Sequence, residues 1–69
     1  MTPEHMVHMA NQIAHFFAGY PHEVAVAGVA DHLQKFWEPR MRRQLFEHID
    51  QGGAGLDALV LEAAGKLGR

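Results

Sequence analysis

A chain of 69 residues with a formal net charge of −2 has room for one small core, since chains of this size bury only about 60% of the surface they expose when unfolded. The absence of cysteine excludes disulfides, thiolate zinc sites and a thiol nucleophile, and fits a reducing, cytoplasmic setting. Apolar residues at 48% against 20% charged mark a globular composition, the acidic balance argues against a dedicated nucleic-acid binder, and no run is long and apolar enough to suggest a membrane span.

Prolines at positions 3, 21 and 39 and glycines at 52, 53 and 55 punctuate the chain. Proline suits the first turn of a helix and glycine its end. The expectation is a single helical domain over residues 1–69, an all-α bundle of four short helices at about 3–18, 22–37, 39–51 and 57–66.

In the first helix Thr2 is the expected N-cap. Met6, Met9, Ala10, Ile13, Phe16, Phe17 and Tyr20 fall on one arc at about 100° per residue, with His8, Asn11 and His15 opposite. Gly19 suits a left-handed C-terminal turn. In the second helix Val26, Val29, Ala30, Leu33, Phe36 and Trp37 share a face, with Gly28, Asp31 and Lys35 on the other side. Val24–Val29 also alternates like a strand, but the helical period continues through Leu33 to Trp37 and predicts a helix.

The third helix carries the apolar stripe Met41, Leu45 and Ile49, with Phe46 and His48 at its margins. Glu38 with Arg42 and Arg43 with Glu47 have the spacing of ion pairs. Asp57 is the expected N-cap of the fourth helix, with Leu56 and Leu61 arranged as a hydrophobic staple. Apolar residues cover more than half of that helix, which predicts that it is covered by its own core and by a second surface. Leu61 marks the surplus face, and a homodimer of the isolated chain follows from it.

Six histidines invite a metal reading. His5 and His8 are close enough on a helix to share an ion, but no third ligand is obvious, and most of the histidines plot on polar faces. There is no serine, and Thr2 is already used as a cap. The group Gly52–Gly55 lacks the pattern of a phosphate loop. Lys35, Arg40, Arg42 and Arg43 cluster beside Phe36 and Trp37, a composition shared by helix–turn–helix readers and protein–protein hot spots. Asp31, Glu38 and Glu47 neutralise much of that field and favour the protein partner. Trp37 reads equally as core or as interface. Arg42 plots inside the apolar arc, where it must snorkel or meet a carboxylate. At this size the chain argues against a self-contained enzyme.

Three segments carry a family resemblance. Met6-Val7-His8-Met9-Ala10-Asn11-Gln12-Ile13-Ala14-His15-Phe16-Phe17 resembles the opening of the small delta subunit of bacterial NAD-dependent, molybdenum-containing formate dehydrogenase. His32-Leu33-Gln34-Lys35-Phe36-Trp37-Glu38-Pro39-Arg40-Met41-Arg42 resembles that family's H-x-x-K-F-W-[DE]-P-R-M-R signature. Gly52-Gly53-Ala54-Gly55-Leu56-Asp57-Ala58-Leu59-Val60 is similar to its G-G-x-G-L-D-P-L-V segment, with Ala58 where the family usually has proline.

The resemblance implies a cytoplasmic, non-catalytic accessory subunit that binds the formate dehydrogenase catalytic subunit and aids assembly, cofactor maturation or stability. It implies that molybdenum pterin, iron–sulfur clusters, FMN and NAD belong to partner subunits; without cysteine or a dinucleotide fingerprint no cofactor is expected in this chain, and the histidine spacing predicts no bound metal. The residues carried over as partner-binding are Phe36, Trp37, Pro39, Arg40, Met41 and Arg42, to which the surplus face of the fourth helix adds Leu61. The competing expectation is a free-standing helical homo-oligomeric module or nucleic-acid-associated regulator.

Overall fold

The computed structural model describes residues 1–68, with helices α1 (Pro3–Phe17), α2 (His22–Phe36), α3 (Pro39–Asp50) and α4 (Ala58–Gly65). Among the described residues there is no strand, and Val24–Val29 lies within α2. The expected helices are all present. Their ends differ by a residue where Ala18, Trp37, Gln51, Asp57 and Lys66 act as caps, half in and half out of the helix.

The ends follow from local chemistry. Thr2 Oγ1 accepts the His5 N–H at 3.1 Å, and Asp57 Oδ1 accepts the Leu59 N–H at 2.9 Å. Proline occupies the start of α1 and α3, whereas Pro21 stands at the cap position before α2. Two differences from expectation concern the other ends. Gly19 keeps a negative φ: α1 closes instead through tight bonds from Ala18 N to His15 O and from Tyr20 N to Phe17 O at 3.3 and 3.0 Å. The left-handed turn falls after α3, where Gly52 and Gly53 have φ of +117° and +66°. Their N–H groups donate back to Ile49 O and His48 O, a paired closure of the helix end that a side chain at either position would strain.

One buried cluster unites the helices. Met6, Ala10 and Ala14 of α1 meet Val26, Val29 and Leu33 of α2, Leu45 of α3, and Val60, Ala63 and Ala64 of α4, with Trp37 closing one end. The stripe on α1 is therefore narrower than its apolar arc. Phe16 and Tyr20, expected inside, are exposed, and so is Phe36 on α2. Alanines on α1 and Gly28 on α2 bring these two helices close. The Phe17 ring lies where a Gly28 side chain would begin, with Cδ1 and Cζ at 2.6 and 2.8 Å from that point. Gly28, expected to face away, is thus a contact position.

The fourth helix is covered on two sides, but both covers are internal: α4 packs on α2 and on α1. Its surplus apolar surface is limited to Ala58 and Leu61. Asn11, expected on the polar face, ties α1 to the start of α4. Its Nδ2 donates to Gly55 O, and its Oδ1 accepts the Asp57 N–H, both at 2.8 Å. His48 Nε2 and Ala54 O, 2.8 Å apart, hold the same loop from α3.

Candidate functional site

The connection between α2 and α3 is two residues long. Pro39 at the start of α3 disfavours a helical conformation in the residue before it, and Glu38 is extended with ψ 153°. Trp37 is extended too, with ψ 133°, and its N–H still donates to Leu33 O at 3.3 Å. The chain therefore leaves α2, bends and re-enters a helix at once. The Trp37 side chain turns inward and is only 5% exposed.

Arg42 completes this corner from the other side. Its Nη1 donates to Trp37 O, lies 3.3 Å from Gln34 O and reaches Leu33 O at 3.5 Å, the outer limit of such a bond. These carbonyls belong to the last turn and C-cap of α2, the end that carries its partial negative charge; Leu33 O also accepts the Trp37 N–H. The half-buried guanidinium thus caps α2 instead of snorkelling or meeting a carboxylate. Among the described residues neither Glu38 with Arg42 nor Arg43 with Glu47 forms an ion pair; Asp31 and Lys35 do, at 3.2 Å.

The expected site residues consequently divide. Trp37, Met41 and Arg42 face inward and build the corner. Phe36, Pro39 and Arg40 face outward. Leu61, on α4, is 41% exposed and stands beside Gly53 and Leu56, away from the corner. Arg40 lies in the first turn of α3, which has no acidic residue and no side-chain cap. Among the described residues it has no hydrogen bond and no ion pair.

Phe36 belongs to a larger feature. An open groove of about 600 Å³ runs between α1 and α2, lined by Met9, Gln12, Ile13, Phe16, Phe17, His32, Phe36 and Trp37. Phe16 and Phe36 are 71% and 72% exposed, the most of any large hydrophobic side chain among the described residues. The His32 ring packs on Phe36 with centroids 4.9 Å apart. The α1 half of this groove was missed in the sequence because its residues share the arc of the core. A second cleft, of about 750 Å³ between α2 and α4, is rimmed by Glu23, Asp31 and Lys66 and bridged by His22 and Glu62 at 2.9 Å. His22 pairs with Glu62 and Asp31 with Lys35, and the exposed Glu23 and Lys66 have no ion pair among the described residues. Among the described residues no group of three or more His, Asp or Glu side chains is placed to hold a metal. His5, His8 and His15 are exposed; His32 and His48 are half-buried.

The family model described as the NADH-dependent formate dehydrogenase delta subunit, FdsD, matches residues 5–64. The chain belongs to the FdsD family. The match takes in α2 and α3 whole, nearly all of α1 and α4, the α2–α3 corner and the glycine loop before α4. No curated protein and no solved structure matches the chain. By that description an FdsD chain is a subunit of a formate dehydrogenase. No helix among the described residues is long and apolar enough to cross a membrane.

Proposed function

We propose that this FdsD chain is a non-catalytic, cytoplasmic accessory subunit that docks on the molybdenum-containing catalytic subunit of formate dehydrogenase and aids its assembly, cofactor maturation or stability. Formate oxidation and electron transfer to NAD belong, on this reading, to the partner subunits. The chain itself has no cysteine to ligate an iron–sulfur cluster and no dinucleotide-binding fingerprint.

The observation that carries the reading is Arg40. A helix N-terminus bears partial positive charge and disfavours a cation. Arg40 nevertheless occupies that turn, exposed and with no partner among the described residues. Arg42, two positions on, is bound to α2. The signature segment thus keeps one arginine for the fold and leaves one free for a partner carboxylate.

Arg40→Glu tests this. Its circular dichroism should be that of the wild type, and its melting temperature unchanged or slightly raised. Titration against formate dehydrogenase purified from a host lacking this chain should show affinity reduced about 30-fold or more, the scale of a hot-spot residue. Unfolding would make Arg40 structural. Normal folding with normal binding would move the docking surface off the corner.

A further inference from the structure

The α1–α2 groove has a counterpart inside the molecule. On α2, Val26, Ala30 and Gln34 line the cleft shared with α4, and His32 and Phe36 line the open groove, with the buried Val29 and Leu33 between them. On α1, Val7 and Asn11 face the loop leading into α4, and Met9, Ile13 and Phe16 face the groove, with Met6, Ala10 and Ala14 between. The α1–α2 pair therefore has two flanks. One is closed by α4, laid against both helices. The other is open and holds the two most exposed phenylalanines.

We propose that the open flank seats an amphipathic helix of the formate dehydrogenase catalytic subunit, apolar on the side that enters and carrying a carboxylate at its margin. The inference rests on the accessory-subunit reading and names the element that reading requires. A helix fits because the seat lies between two helices and mirrors the one α4 already fills. The carboxylate follows from charge. No Asp, Glu, Lys or Arg lines the groove, so nothing in it repels a carboxylate, and the nearby charge without an ion pair that favours one is Arg40. Gln12 and His32, the polar side chains of the groove, have no hydrogen-bond partner among the described residues. Arg40 follows Trp37, the end wall of the groove, by three residues, a chain length of about 11 Å at most. A helix with its acid at that end meets the unpaired guanidinium while its apolar face covers Phe16 and Phe36.

Photo-crosslinking in the assembled complex tests the proposal. A benzophenone analogue of phenylalanine replaces Phe16, Phe36 or, as a control on α4, Leu61, in full-length chain co-expressed with the other subunits. Positions 16 and 36 should both crosslink to one helical segment of the catalytic subunit that contains Asp or Glu, and position 61 should not. Phe36→Glu should reduce co-purification about 30-fold or more, and Phe36→Ala should reproduce the direction of the loss if the charged variant folds poorly. Crosslinking from position 61 alone, or from 16 and 36 to a loop, a strand or a basic segment, would overturn the inference and leave the accessory reading standing. Crosslinks between two copies of this chain would make a second copy the occupant and also overturn it. A wild-type chain that neither crosslinks nor co-purifies removes the accessory reading and the inference together.

Discussion

Arg40 and Arg42 stand two positions apart in opposite settings, the first exposed and the second half-buried. Arg42 belongs to α3 but satisfies the carbonyls that end α2, so it fixes the angle between the two helices. Hydrogen bonds to a charged group contribute about 1.5–3 kcal/mol each when well formed, and the half-exposed setting places Arg42 at the lower end of that range. Arg42→Ala should destabilise the chain by about 1–2 kcal/mol, read as a lowered urea midpoint with unchanged slope. Arg42→Lys should recover only part of the loss, because one ammonium cannot reproduce a fork aimed at several carbonyls. The position of Arg42 inside the apolar arc was legible in the sequence as a sign that it does not simply face water. Its acceptors were not, because a helical wheel carries no information about the neighbouring helix. Asn11 shows the same limit from the other direction. It plots with His8 and His15, yet it alone of the three bonds the glycine loop, at Gly55 and Asp57.

At the scale of the element, proline, threonine, aspartate and glycine positions placed all four helices to within a residue or two, because caps act locally. The glycines divided less cleanly. Gly52 and Gly53 adopt positive φ after α3, whereas Gly19 does not, although both sites follow a helix. Gly28 has a tertiary reason that composition could not reveal: the Phe17 ring occupies its missing side chain's place. Two effects compete in Gly28→Ala. Helix propensity favours alanine by about 1 kcal/mol. Displacing the half-buried Phe17 ring from a packed helix crossing costs about 1–3 kcal/mol. The account predicts a net loss of stability and a melting temperature lower by several degrees, on the scale of about 4–8 °C per kcal/mol for a domain this small. A rise in melting temperature would show that the ring moves aside freely and that the α1–α2 crossing is loose.

For the whole molecule, the balance between core and surface carries the functional argument. The apolar arcs of α1 and α2 were readable from the period of the sequence, but their division between core and surface was not. That division depends on which flank α4 covers, a choice made by tertiary packing. Once α4 lies against one flank, Phe16 and Phe36 are left on the other. The expectation of a surplus face centred on Leu61, which is 41% exposed, did not include this groove for the same reason. The formal charge of −2 also hides a distribution: Glu23, Asp31, Glu62 and Lys66 line the α2–α4 cleft, and no Asp, Glu, Lys or Arg lines the aromatic groove. A chain of this family that acts by docking is expected to present such an asymmetric surface, with its rigid corner at one end of the groove.

The most direct measurement is the intact mass of the formate dehydrogenase complex, taken by native mass spectrometry from cells that express this chain and from cells that lack it. The account predicts a complex heavier by 7.7 kDa for each bound copy when the chain is present, and loss of that increment in the Phe36→Glu and Arg40→Glu variants. Complexes of identical mass, with the chain recovered entirely in the free fraction, would contradict it.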